Sequence, residues 1–498
     1  MRKVLWTVVL VVFAVPLIAD QVRATKSALL EVSGRIRLDA VLEDPDINDY
    51  VRGTRNEQSF IDPELELRML FHVKMGVKAH LALRTPPYAQ DVLGGRPISI
   101  TDNNSGQNKL YPTRIMEVSE AYLEARQFLH KNFSISVGLL RLNYPLISDS
   151  EHGTFLLAIG ESEDPFAGTI YANWPDGRGG KSGMSSTRFS WNEPGRAGSV
   201  EAGGLKFSYT YKFGFGLAKQ QKRFVETQFD LIAVTTYETL YFNQDRDIVG
   251  VVGRFWYPLR KQPTLWGQMA ILTYAVKANS RIWTLGGGLA YRATRSLTIY
   301  GESYGQTGVI YRPTSPSDTP PFDGVLSTRE GTIIQQAFGG YVGIRYEAKP
   351  TEESGAFTHW RPYFDISYWW ISGDKNPHDK RNQDFLTYED VDTTLILEED
   401  RYGCDLDTNY EALKLIVGCK PRSEVRIYIV FANFRRARDY TAKDRIGREL
   451  DFVIKWQYTE DLSLKFGLAN VWQADYMLGG QAGRRHPCIA VAQMVLSF

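Results

Sequence analysis

Cationic side chains recur on alternate positions in several stretches of this sequence, set among carboxylates of the same parity. In "EVSGRIRLDA", Arg35 and Arg37 alternate with Glu31 and Asp39. In "ELELRMLFHVKMGVKAHLALR", residues 64–84, one parity carries Glu64, Glu66, Arg68, His72, Lys74, Lys78, His80 and Arg84. Arg126, Arg254, Arg292, Arg345, Lys414, Arg426, Lys455 and Lys465 hold equivalent places farther along. Their acidic counterparts are Glu120, Glu124, Glu302, Glu347, Asp365, Glu449 and Asp451. A guanidinium offers a planar fork of donors that fits a carboxylate bidentately, and rings of Arg and Lys build anion-selective pores. The chemistry on offer is recognition and passage of an organic anion. We take Arg35, Arg37, Arg68, Lys74, Arg84, Arg126, Arg141, Arg254, Arg345, Arg426 and Lys455 as the candidate solute-contacting set. The competing expectation is that mixed charges pair with one another and keep a wall wet without preferring any solute. No H-E-x-x-H, G-x-S-x-G or P-loop pattern stands in a suitable context, so no enzymatic activity and no cofactor are expected. His72 and His80 belong to the charged ladder, and neither is expected to ligate a metal.

The elements that must position these groups are strands. In 64–84 the second parity reads Leu65, Leu67, Met69, Phe71, Val73, Met75, Val77, Ala79, Leu81 and Leu83. Period two sends each set to one face of a sheet. An ordinary strand is about 5–6 residues long, and this pattern runs far longer, so it reads as two spans around a tight turn at Lys74–Gly76. The alternation recurs in "SLTIYGESY", "FGGYVGIRYE", "RPYFDISYWW", "SEVRIYIVF", "RELDFVIKWQY" and "DLSLKFGLA", and the chain finishes on "CIAVAQMVLSF". Short connections at Gln127–Asn132, Ala293–Ser296, Cys419–Ser423 and Thr459–Asp461 alternate with long polar ones. The long ones are Leu42–Ile61, Thr85–Pro112, Gln306–Ile334, Ser372–Asn409, Arg436–Ile446 and Ala474–Pro487. Residues Gly153–Asn192 give no decisive pattern.

Aromatics make up 13% of the 498 residues, with 27 Tyr, 25 Phe and 43 Gly, which suits a β-rich chain. "MRKVLWTVVLVVFAVPLIADQVRA" has a basic start, an apolar run and small residues at cleavage points, the physics of a secretory signal over residues 1–24. Its removal leaves a net charge near −1 in place of +1, since three cationic residues and one anionic residue go with it. A near-neutral chain gives no reason to expect nucleic acid. Beyond that segment, no run of about 18 apolar residues exists to span as a helix. Three cysteines, Cys404, Cys419 and Cys488, form no framework and are expected to be unpaired.

A soluble β-sandwich or β-helix would also place charges outward, as would a secreted carbohydrate-active enzyme. It would not need strands of about ten residues throughout, nor aromatics such as Tyr257, Tyr291, Trp370, Trp456 and Tyr458 at the ends of its apolar faces. A sheet closed on itself in a bilayer explains both. Closure is compulsory there, because an open edge leaves N–H and C=O groups unpaired in hydrocarbon, and a span needs about 9–11 tilted residues. The expected fold is all-β: a closed up-and-down antiparallel transmembrane β-barrel of about 18 strands, between 16 and 20. Residues 25–498 form it as a single domain with long extracellular loops.

Several stretches resemble the alginate-export family of outer-membrane barrels. "SEAYLEARQ" is similar to that family's Glu-Ala-Tyr strand, and "FSISVGLLRLNY" to the strand after it. There the family's Gly-Arg-Gln gives way to Gly138-Leu139, with Arg141 the first arginine. "ISGDKNPHDKRNQDF" resembles the family's Gly-Asp…Asp…Phe loop, and "GRELDFVIKWQYTEDLSLKFGLANVW" its C-terminal hairpin. The resemblance implies an 18-stranded barrel in the outer membrane of a Gram-negative-type bacterium, passing an anionic solute such as a polyuronate-like polysaccharide. The altered Gly-Arg-Gln region leaves the solute open. A general porin, or a loop-bearing structural or adhesive barrel, is the alternative. Expected partners are outer-membrane lipid and lipopolysaccharide, the solute, and the barrel-assembly machinery through the last strand ending at Phe498; a monomer is expected. The acidic loop Ser372–Asn409 is expected to be a solvated surface loop, with an inward gate and calcium binding beside lipopolysaccharide as alternatives; it lacks EF-hand spacing. The Pro-rich "RPTSPSDTPPFDG" is a second gate candidate.

Overall fold

The computed structural model describes residues 30–44, 58–72, 77–84, 98–101, 108–111, 117–127, 129–140, 142–144, 146, 158–159, 202–215, 223–237, 246–258, 264–275, 281–312, 331–349, 360–373, 381–383, 385, 393–398, 409–437, 445–472 and 488–498. Its main sheet has 19 strands, of which 18 form the wall of a barrel. They are β1 Leu30–Asp44, β2 Gln58–His72, β3 Val77–Arg84, β4 Glu117–Arg126, β5 Phe133–Leu140, β6 Ala202–Phe215, β7 Arg223–Tyr237, β8 Arg246–Pro258 and β9 Thr264–Ala275. There follow β10 Arg281–Arg292, β11 Leu297–Arg312, β12 Gly331–Glu347, β13 Tyr363–Ile371, β14 Tyr410–Arg422, β15 Val425–Arg435, β16 Arg445–Gln457, β17 Leu462–Trp472 and β18 Cys488–Ser497. The remaining strand, Arg381–Asn382, lies parallel to Ile334–Gln335. No helix occurs among the described residues.

Each wall strand pairs antiparallel with the next, and β1 closes on β18 from Arg35↔Ser497 to Asp44↔Cys488. At the seam the Gly34 N–H donates to the Phe498 carbonyl at 2.9 Å and the Phe498 N–H to the Gly34 carbonyl at 3.0 Å. A side chain on Gly34 would sit in the Phe498 ring, so the last residue locks over the first strand. Closure leaves no sheet edge, which hydrocarbon requires.

The two parities separate as period two demands. Outward positions carry exposed Phe229, Leu231, Val249, Val251, Ile271, Trp283, Leu289, Ile366, Val417 and Phe466, with Met269 58% and Leu285 57% exposed. An apolar belt that large is stable against lipid and unstable against water. Tyr257, Tyr291, Trp370, Trp456 and Tyr458 lie at or next to strand ends on the outward side.

Strands run past the expected limits. Segments Leu42–Ile61 and Gln306–Ile334 are not wholly loops, because β1 reaches Asp44, β2 starts at Gln58, β11 reaches Arg312 and β12 starts at Gly331. Ladder hydrogen bonds satisfy the backbone beyond the apolar belt, so polar composition alone does not end a strand. Likewise Cys419–Ser423 is not a turn: β14 continues to Arg422 and reverses at Ser423–Glu424. Cys419 and Cys488 are free thiols. Residues 1–24, Cys404, the turn at Lys74–Gly76 and the Pro-rich segment after Arg312 lie outside the described residues. So does Gly153–Asn192, except for Ala158–Ile159, which pairs with Leu142–Asn143.

Candidate functional site: a partly filled lumen with a basic mouth

A barrel of this strand number leaves an interior that side chains alone do not fill. Here the chain itself fills part of it. After β5 the side chains of Leu142, Tyr144 and Leu146 are buried inside the barrel. The Tyr144 hydroxyl donates to Asp230 on β7 at 3.0 Å, the Arg254 guanidinium on β8 lies 6.0 Å from its ring, and Leu146 reaches Gly288 on β10. Burial and the adjacent Asp230 carboxylate push the Tyr144 hydroxyl well above its ordinary pKa, so it stays a donor.

The second inward segment comes from the acidic loop between β13 and β14, and here the expectation of a solvated loop fails. Leu395, Ile396 and Leu397 are buried, and their N–H groups donate to wall carboxylates on β16. Leu395 gives to Asp451 at 3.1 Å, Ile396 to Glu449 at 2.7 Å and Leu397 to Glu449 at 2.9 Å. Glu398 accepts from the N–H groups of Thr393 and Thr394 at 3.2 Å each and forms an ion pair with Lys414 on β14. Lys414 in turn lies 4.2 Å from the Trp369 ring. Burial pushes the Glu398 carboxyl upward while Lys414 pulls it back. Leu395 packs where a side chain on Gly467 would collide with it, and Phe385 occupies the space above Gly339. Three consecutive apolar residues outweigh the acids around them, and the wall supplies partners for a backbone that would otherwise be buried unpaired.

Elsewhere the inward face carries buried, hydrogen-bonded carboxylates. Glu302 accepts from Gln268, from Tyr304 at 2.7 Å and from Tyr341 at 2.7 Å. Asp365 accepts from Tyr300 and from Arg345 at 2.6 Å. These groups hold the wall's shape.

Most of the sequence-derived bases converge on β1–β4 or at the mouth where the turns are tight. Glu66 bridges Arg35 at 3.1 Å and Arg68 at 2.5 Å; Arg68 also approaches Glu120 at 4.0 Å. Arg37 meets Asp39 at 2.6 Å and Arg126 meets Glu124 at 2.8 Å. The arginine side chains of Arg35, Arg68 and Arg126 are 42%, 50% and 60% exposed, whereas Glu66 and Glu124 are 6% and 17% exposed. Carboxylates lie against the wall and guanidiniums stand above them. His72 pairs with Glu31, and His80 stacks on Tyr122.

Arg254, Arg345, Arg426 and Lys455 stand on inward positions near the tight-turn ends of β8, β12, β15 and β16. Each lies over an aromatic ring: Tyr144, Tyr300, Tyr363 and Tyr428 respectively. Arg84 closes the far end of β3, opposite Glu66 and Glu117 in register. Lys74 and Arg141 lie outside the described residues. Among the described residues no group of three or more His, Cys, Asp or Glu is placed to hold a metal ion. Sequence reading missed the docking of residues 393–398; the readable hint was an apolar trio facing two inward acids, Glu449 and Asp451.

No family model matches the chain, and no curated protein matches it. Among solved structures the barrel is similar to OccAB1 of Acinetobacter baumannii, with a TM-score of 0.47 at 8% identity over 94% of this chain and 97% of that one. It is also similar to OccK8 (OprE) of Pseudomonas aeruginosa, with a TM-score of 0.46 at 11% identity over 94% and 98%. A third is the outer membrane protein OpdK of the same organism, with a TM-score of 0.43 at 9% identity over 94% and 99%.

Proposed function

We propose that this barrel is an outer-membrane channel for passive passage of organic anions. The observation that supports it best is the layering of charge on β1–β4, where exposed guanidiniums of Arg35, Arg68 and Arg126 overlie buried carboxylates. A solute in the lumen meets cations first although the wall is nearly charge-balanced. The segment Thr393–Glu398 is the resident constriction. A polyuronate-like chain is the polymeric form of the solute, and its carboxylates would step between the arginines. Export through residues 1–24, contact with lipopolysaccharide and delivery through the strand ending at Phe498 belong to the same reading. The alternative is a general porin, favoured by the pairing of these arginines with carboxylates.

Reversal potential across a planar bilayer under a KCl gradient tests the proposal. Anion preference that falls in Arg35→Gln/Arg68→Gln supports it. Cation preference, or no pore, sinks it.

A further inference from the structure

The long-loop ends of β15 and β16 break the apolar pattern of the lipid-facing surface. The parity that sends Ile429, Leu450 and Phe452 outward also sends Asn433, Arg435 and Arg448 outward. A register shift beside Arg435 brings Arg445 directly opposite it on β16, and cross-strand partners share a face. Both arginines are exposed. Arg448 stands one step farther in, between Asn433 on β15 and Trp472 on β17 in register. Its Nε–H donates to Asn433 Oδ1 at 3.3 Å, which uses one of five guanidinium donors. Like charges directly opposite one another repel, and among the described residues no outward position of β15, β16 or β17 holds an acid. The acid next in register is Glu411 on β14, which faces Arg435 and accepts from the Tyr368 hydroxyl at 3.1 Å. Three cations thus share one carboxylate at the rim of an apolar belt.

We infer that Arg435, Arg445 and Arg448 form a site on the outside of the barrel for the phosphates of a phosphorylated glycolipid, the lipid A of the outer leaflet. Height is one reason. At about 3.3 Å per residue Arg445 stands about 36 Å along β16 from Trp456, or about 28 Å along the barrel axis at a tilt of about 40°. The apolar band of such a barrel is about 25 Å tall, so Arg435 and Arg445 come level with headgroups. Arg448 reaches the same level by extending its stem. Charge is the second reason. A phosphate monoester carries about −1.5 to −2 at neutral pH and accepts from guanidinium forks bidentately, which supplies the counter-charge that the surface lacks. Two phosphates on one headgroup match three arginines better than the single phosphodiester of a phospholipid. Below the arginines, exposed Ile429, Leu450, Phe452 and Leu468 offer a surface for the acyl chains. The inference rests on the outer-membrane reading and is independent of the solute in the lumen.

The test measures retention of fluorescent lipid A by the full barrel, purified in detergent and immobilised. Bis-phosphorylated lipid A should be held about tenfold more tightly than phosphatidylglycerol, with the monophosphoryl form between them. Arg435→Gln/Arg445→Gln/Arg448→Gln should abolish that preference. Arg281→Gln, at an exposed outward arginine of the same end of β10, should leave it intact. Folding of each variant is checked by heat-modifiable electrophoretic mobility, and the reversal potential in KCl should not move in the triple variant. Equal retention of lipid A and phosphatidylglycerol by the wild type overturns the inference, as does retention that the triple variant leaves unchanged. Displacement of lipid A by inorganic phosphate, but not by KCl of equal ionic strength, would assign a site for the free ion and overturn the glycolipid. Membrane fractionation separates this failure from that of the reading beneath it. A barrel found in the inner membrane overturns the outer-membrane reading and the inference with it. One found in the outer membrane that holds both lipids alike overturns the inference alone.

Discussion

Replacing Glu449 by Gln should loosen the constriction without unfolding the barrel. The Glu449 carboxylate accepts from Ile396 at 2.7 Å and Leu397 at 2.9 Å, one oxygen to each N–H. Gln keeps the shape but has a single acceptor oxygen, and its amide donors face the second N–H. One charge-assisted hydrogen bond is lost in a buried place, a change of about 1.5–3 kcal/mol. With each 1.4 kcal/mol equal to tenfold, the undocked population of residues 393–398 rises by about 10- to 100-fold. Asp451 still holds Leu395, and Lys414 still holds Glu398, so the loop has somewhere to return. Single-channel recording should show steady conductance in the wild type and flicker to a larger level in Glu449→Gln. Glu449→Gln/Asp451→Asn should dwell longer at the larger level. Identical conductance in wild type, single and double variants would mean that residues 393–398 do not constrict the pore, and the assignment of the gate would be wrong.

Three further outcomes are expected. Glu66→Gln removes the buried acid beneath Arg35 and Arg68, so the reversal potential should move further toward anion selectivity; a move toward cations would contradict the charge layering. Lys414→Met leaves Glu398 buried without its cation, at about 3–5 kcal/mol, and adding Glu398→Gln should restore most of the loss in a denaturant titration. Because burial already pushes the Glu398 carboxyl upward, docking in Lys414→Met should strengthen as pH falls and weaken as it rises, read from conductance at each pH. Deleting Phe498 removes two seam hydrogen bonds to Gly34, each contributing about 0.5–1.5 kcal/mol, and should lower the temperature at which electrophoretic mobility shifts.

The barrel was legible because period two is written into nearly every strand. Leu65, Leu67 and Met69 against Glu66 and Arg68 fix both faces by their order alone, and β2 obeys that parity. Loop burial was illegible because composition weighs all residues equally. Asp374, Asp379 and Asp384 make the segment after β13 look solvated, whereas Leu395, Ile396 and Leu397 carry residues 393–398 inward. Their burial also depends on Glu449 and Asp451, which belong to a strand some fifty residues away in sequence. Strand ends such as Asp44 and Arg312 were misread for a related reason: ladder pairing is a property of two strands, and either one alone understates it.

The layering of charge follows from side-chain length. On one inward face Arg and Glu start from the same wall, but Arg has the longer stem and carries its charge farther toward the axis. An arginine neighbouring a carboxylate can therefore pair with it and still overtop it, as Arg35 and Arg68 do over Glu66. Such a wall needs no excess of positive charge to present cations to a solute. It also limits the cost of desolvation, since each buried acid keeps a cationic partner. Net charge near zero and an anion path are thus compatible, and the order of layers, more than the tally of residues, decides which sign a solute meets.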